Sequence, residues 1–153
     1  MDNILIGIGN QIRKDDRIGC YVAEEFEKAQ KEMMFEEWKI IHAETVPENY
    51  TSVMRKLNPE LIVMVDSAEM NLKPGEFRII NKQMMEKLHL TTHAMPLSFL
   101  MTYLGDFCEK VLLIGIQPKE LGDGEEMTEE VIQNVPEIIK LIKEKSFNKI
   151  KVL

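Results

Sequence analysis

Cysteine is scarce in this chain of 153 residues: Cys20 and Cys108 stand far apart, and neither belongs to a CxxC pair. Two such thiols supply neither a disulfide framework nor a thiolate zinc site, and a reducing compartment fits them. Long apolar runs are missing as well. Leu61 to Val65 and Val111 to Ile114 are far shorter than the roughly 20 residues that a bilayer span needs, so they read as buried strands and no membrane is expected. No basic stretch precedes Ile4 to Ile8, and glycines interrupt that run too early for a secretory signal, which makes the cytoplasm the default location. Basic residues are outnumbered, 19 against 26 acidic, for a net charge of −7. That balance opposes non-specific binding to nucleic acid, which is not expected as a partner. Walker A, HExxH and GxSxG patterns are all absent, removing the common phosphate-binding, zinc-protease and serine-hydrolase signatures. Gly7-Ile8-Gly9-Asn10 opens like a dinucleotide fingerprint, but Ile12 stands where the third glycine belongs.

What is present is an ordinary globular composition, 44% apolar and 29% charged, at a length suited to one domain over residues 1–153. Asn3 to Gly9 reads as a buried first strand running into a turn. Ile18, Val22 and Phe26 recur at helical spacing, which predicts a helix from Asp16 to about Lys31, with Asp15 and Asp16 favouring its start. Lys39 to Val46 is the second strand, and Pro47 opens a helix that Asn58-Pro59 ends. Glu60 to Asp66 is the strongest strand signal, apolar on both faces as a central parallel strand requires. After the turn at Pro74-Gly75, Glu76 to Asn81 reads as an antiparallel edge strand, because so short a connection cannot make a parallel crossover. A loop through His93 leads into a helix from Leu97 to about Leu104. Lys110 to Gln117 is another buried strand, and Val131 to Lys145 is read as one final helix despite Pro136. The alternation predicts a three-layer α/β/α sandwich around a mainly parallel twisted sheet of about five strands.

In open α/β sheets, ligands gather beyond the carboxyl ends of the strands. Three chemistry-bearing residues fall there: Asp16 after the first strand, Asp66 ending the third, and His93 in a loop opening a helix. Two carboxylates and an imidazole form a plausible divalent-metal set, suited to nickel, zinc or manganese rather than copper(I), with room for water or a substrate carbonyl. Spacing leaves blander readings open. Asp15 or Asp16 can simply favour a helix start, Asp66 can cap a turn, and a lone histidine is more often a hydrogen-bonded loop residue. Cys20 falls one helical turn after Asp16 but is better read as a small buried hydrophobe, and the eleven methionines are better read as core than as a peptide groove at Met95 and Met101.

Taken in order, Gly7-Ile8-Gly9-Asn10, Asp15-Asp16 with Gly19, Pro47-Glu48-Asn49, Val65-Asp66-Ser67-Ala68, Pro74-Gly75, Thr91-Thr92-His93-Ala94-Met95-Pro96-Leu97 and Gly115-Ile116-Gln117-Pro118 resemble the hydrogenase maturation endopeptidases. The likeness is greatest to the branch serving formate-hydrogenlyase-type hydrogenases, and it spans nearly the whole chain. It implies a peptidase that removes the C-terminal extension of a hydrogenase large-subunit precursor, cutting after a basic residue just beyond the precursor's final CxxC. It also implies that Asp16, Asp66 and His93 are both the catalytic and the metal-binding residues, recognising Ni2+ carried by the precursor rather than held by the enzyme, which would act as a monomer. Two departures stand out: Arg17 replaces a glycine beside a proposed ligand, and His42-Ala43-Glu44-Thr45 replaces a glycine-rich stretch associated with substrate discrimination. The competing functional reading is a non-catalytic, metal-sensing chaperone of the immature large subunit. A nucleotide-binding α/β protein is a third.

Overall fold

The architecture was read from a computed structural model that describes residues 3–35, 37–88 and 95–153. His93, and the predicted loop around it from Thr91 to Ala94, lie outside the described residues. Among those described, β1 (Asn3–Ile8), β2 (Trp38–Glu44), β3 (Leu61–Ser67), β5 (Lys110–Ile116) and the short β4 (Phe77–Ile79) form one sheet in the order β2-β1-β3-β5-β4. The first four strands run parallel, and β4 pairs antiparallel on β5 at the edge, as its short connection requires.

Strand alternation divides the core between two faces. Leu5, Val63 and Val65 point to the face covered by α1 (Ile18–Glu32) and α6 (Val135–Lys143), where they meet Val22, Phe26, Ile138 and Ile142. Ile4, Ile6, Ile62 and Met64 point to the opposite face, covered by α2 (Thr51–Leu57), α3 (Lys82–Met85) and α4 (Leu97–Gly105) through Met54, Met85, Leu100 and Leu104. Met95 and Met101 are partly buried against this second core, which favours packing over a groove. Helices on both sides of a mostly parallel sheet make the three-layer sandwich predicted from the sequence. Among the described residues, no helix is long and apolar enough to cross a membrane.

The chain leaves β1 towards β2 by way of α1 and then crosses back through α2 to β3 on the other side of β1. The carboxyl ends of β1 and β3 therefore flank the point where strand order reverses, which is where ligands bind in such sheets.

Several boundaries differ from the sequence reading, among them the start of the helix after Pro47, which is a 3₁₀ turn, Pro47–Tyr50, ahead of α2. The first helix is preceded by a 3₁₀ turn, Lys14–Arg17, so Asp15 and Asp16 lie in that turn rather than in the α-helix. The final helix is broken into α5 (Glu129–Ile132) and α6, with Asn134 between them reaching its amide to the Gly75 carbonyl at 3.0 Å. Pro136 falls in the first turn of α6, where a missing N–H costs nothing; what looked like a proline tolerated inside a helix is a proline at a helix start.

Candidate active site

Close packing puts the start of α1 against the ends of the central strands. A Cβ on Gly19 would overlap the carbonyl oxygens of Ile8 and Val65, and one on Gly7 would lie 2.6 Å from the Ala23 Cβ. Gly7, one of the glycines that suggested a nucleotide fingerprint, thus lets a helix approach the sheet. Beyond Gly9 the chain turns on Asn10, whose side-chain oxygen accepts from the Ile12 N–H at 3.1 Å, and Asp16 N–H returns to the Arg13 carbonyl at 3.0 Å.

The adjacent carboxylates Asp15 and Asp16 have separate tasks. Asp15, 0% exposed, faces the segment after β5. Its Oδ2 accepts from the N–H groups of Lys119 at 2.9 Å and Glu120 at 2.7 Å and from the Thr128 hydroxyl at 2.7 Å, while Oδ1 accepts from Thr128 N–H at 2.7 Å. Backbone bonds from Lys14 N–H to Gly124 O at 2.8 Å and from Asp15 N–H to Glu120 O at 2.9 Å complete a clasp between the two loops. Asp15 is structural, whereas Asp16 turns towards β3.

Asp16 is 7% exposed and Asp66 is 0% exposed. Asp66 lies at the end of β3, opposite Gly115 of β5. Ser67 touches both carboxylates: its hydroxyl donates to Asp16 Oδ1 at 2.6 Å, and its N–H donates to Asp66 Oδ1 at 2.8 Å. Two of the three predicted site residues are thereby brought together from segments distant in sequence. Among the described residues, no group of three His, Cys, Asp or Glu side chains is gathered closely enough to hold a metal. The carboxylates of Asp16 and Asp66 are hard oxygen donors of the kind that suits a divalent ion.

The surroundings answer several questions left by the sequence. The Arg17 guanidinium points to the rim, donating from Nε to Gln11 Oε1 at 2.9 Å and from Nη1 to the Glu125 carbonyl at 3.3 Å, with Glu24 Oε2 3.6 Å from Nη2. Glu44 is exposed at the same sheet end, in the left-handed region at φ 53°, where the β1–β2 register shifts between Gly7 and Ile8. His42 meets Glu27 of α1 at 3.2 Å. Cys20 is buried with its thiol directed to the Gly9 carbonyl at 3.4 Å. Burial, followed by the negative charge of Asp66, Glu24, Glu44 and Asp16, pushes that thiol up from 9.0 to about 12, so it is no nucleophile at neutral pH.

Sequence reasoning missed two residues as parts of the site. Ser67 was visible only as Asp66's neighbour. Gln117, buried at the end of β5, accepts through Oε1 from Met70 N–H at 2.7 Å and Leu72 N–H at 3.2 Å, and donates through Nε2 to Glu69 Oε2 at 2.6 Å. It pins the segment that follows Asp66. Its signal was a polar side chain ending a buried strand just before a proline.

A family model described as hydrogenase maturation protease (HycI) matches residues 20–145. The hydrogenase 3 maturation protease of Escherichia coli (strain K12) is 35% identical over 132 residues, covering 86% of this chain and 82% of that protein. The solution structure of the endopeptidase HycI from Escherichia coli superposes with a TM-score of 0.84 at 29% identity, covering 100% of this chain and 97% of that one. The crystal structure of a NiFe hydrogenase maturation protease HycI from Thermococcus kodakarensis KOD1 gives 0.81 at 29% identity, over 94% of this chain and 90% of that one. These relatives carry the names of proteases, and the non-catalytic chaperone is not favoured.

Proposed function

Because the chain belongs to the family of hydrogenase maturation proteases and is a peptidase acting on a hydrogenase large-subunit precursor, we propose that it removes the precursor's C-terminal extension only after nickel has been inserted. In this reading Asp16, Asp66 and His93 recognise nickel that arrives with the substrate. The observation that carries it is the meeting of Asp16 and Asp66, buried and bridged by Ser67, at the strand-order reversal.

Burial strengthens the attraction between these carboxylates and an incoming cation, because little water is left to screen it. The backbone and hydroxyl bonds of Ser67 hold the carboxylates in place before substrate arrives, so less ordering remains to be done on binding. The precursor's nickel supplies the chemistry of a Lewis acid, polarising the scissile carbonyl or lowering the pKa of a bound water. The chain's own part is to place the peptide beside that ion and keep it there. Arg17, engaged at the rim, leaves this work to the carboxylates, while Glu44 stands exposed where a bound precursor would pass and is suited to discriminate between precursors.

The test is incubation with nickel-loaded and nickel-free precursor, followed by intact-mass measurement of the tail. Only the loaded form is expected to be trimmed, and equal trimming of both would defeat metal recognition. Asp16→Asn and His93→Ala are expected to stop processing while the far-ultraviolet circular dichroism is unchanged. Processing retained by either variant would remove that residue from the site.

A further inference from the structure

We propose that Ser67 is a positioning residue that sets the mutual orientation of Asp16 and Asp66, and thereby the preference for a metal-bearing precursor over a metal-free one; this rests on the site reading above. The sheet ladder between β1 and β3 ends at the pair Gly7 and Val65, before either carboxylate is reached. Past that pair, the chain leaving β1 turns through a loop and a 3₁₀ turn to Asp16, while β3 continues through Asp66 to Ser67 beside β5. Backbone pairing with β3 therefore does not carry Asp16 into place beside Asp66. Within the site, it is the Ser67 side chain that joins Asp16 to the end of β3.

Its hydroxyl lies 2.6 Å from Asp16 Oδ1, the short separation of a charge-assisted O–H···O bond, and the residue is 4% exposed, so little solvent competes. Its N–H takes Asp66 Oδ1 at 2.8 Å. One oxygen of each carboxylate is thus tied to the same residue. The N–H half of this bridge is available to any residue except proline. The hydroxyl half is written in the sequence, and it is the half that reaches Asp16.

The readout is the ratio of affinities for two probes: nickel-loaded and nickel-free large-subunit precursor, each carrying proline after the cleavage position so that it is bound without being cut. The unaltered protein is expected to bind the loaded precursor more tightly. Ser67→Ala is expected to lose roughly 10- to 100-fold in affinity for the loaded form, the usual cost of removing a hydrogen bond that orients a metal ligand, with affinity for the nickel-free form unchanged. Ser67→Thr, which keeps the hydroxyl, is expected to retain most of the preference. If the alanine variant does not fold, Ser67→Cys, a weaker donor of similar shape, is expected to show the same selective loss in smaller degree. A Ser67→Ala protein that keeps the full preference overturns the proposal, as does an equal loss of both affinities with a lowered melting temperature, which would assign Ser67 to the fold alone. Absence of any preference in the unaltered protein would instead bring down the metal-recognition reading, and the proposal with it.

Discussion

One helical turn beyond Asp16, the Cys20 thiol is held neutral by burial and by the carboxylates around it, with consequences for stability at high pH. Its pKa in the fold is about 12 against an ordinary 9.0, so the folded chain favours the protonated thiol. The stability this contributes is complete below about pH 9 and is lost as pH rises towards about 12, because the unfolded chain ionises first. Urea denaturation of the unaltered protein and of Cys20→Ala, compared across this range, is expected to show the unaltered protein losing up to about 1.4 kcal/mol more per pH unit. Parallel curves would mean that the thiol titrates as if exposed. Below pH 9 Cys20 is also expected to resist alkylation until the chain unfolds.

At the scale of elements, the turn before α1 and the segment after β5 behave as one unit because Asp15 joins them. Four hydrogen bonds converge on its carboxylate from Lys119, Glu120 and Thr128. Asp15→Ala leaves partly buried donors without an acceptor and is expected to cost about 3 kcal/mol, read as a lower urea midpoint at unchanged slope. Amide exchange at Lys119, Glu120 and Thr128 should quicken more than exchange in β3. A loss below about 0.5 kcal/mol would show that water replaces the clasp. Since Asp16 shares the same turn, the variant should also process precursor more slowly without touching the reacting groups itself.

For the whole molecule, the exposed side of the sheet beyond β4 is closed by residues 151–153. Ile79 N–H donates to the Lys151 carbonyl at 2.9 Å, and Leu153 N–H donates to the Ile79 carbonyl at 2.9 Å, with Val152 opposite Ile79. A bare strand edge is a template for pairing with other chains. Deleting residues 151–153 is expected to cost about 2 kcal/mol, about one for each lost backbone bond, and to raise self-association measured by light scattering. Unchanged scattering and stability would show that β4 protects itself.

The sandwich was legible in the chain because burial leaves a local imprint. Glu60 to Asp66 is apolar on both faces only where helices cover both sides of a parallel strand, and the short link through Pro74-Gly75 permits only an antiparallel edge. Asp16 and Asp66 were legible as candidates because each follows or ends such a strand. Their division of labour was not. Neighbouring aspartates look alike in sequence, and the structure alone assigns Asp15 to four donors more than a hundred residues away and Asp16 to the Ser67 hydroxyl. The break before α6 was hidden for a similar reason, since Asn134 is anchored by the carbonyl of Gly75. Periodicity, turn residues and charge act between neighbours along the chain and determine which elements form; hydrogen bonds between elements depend on how those elements pack, and only the tertiary structure decided which carboxylate clasps the loop after β5 and which turns to Ser67 beside Asp66.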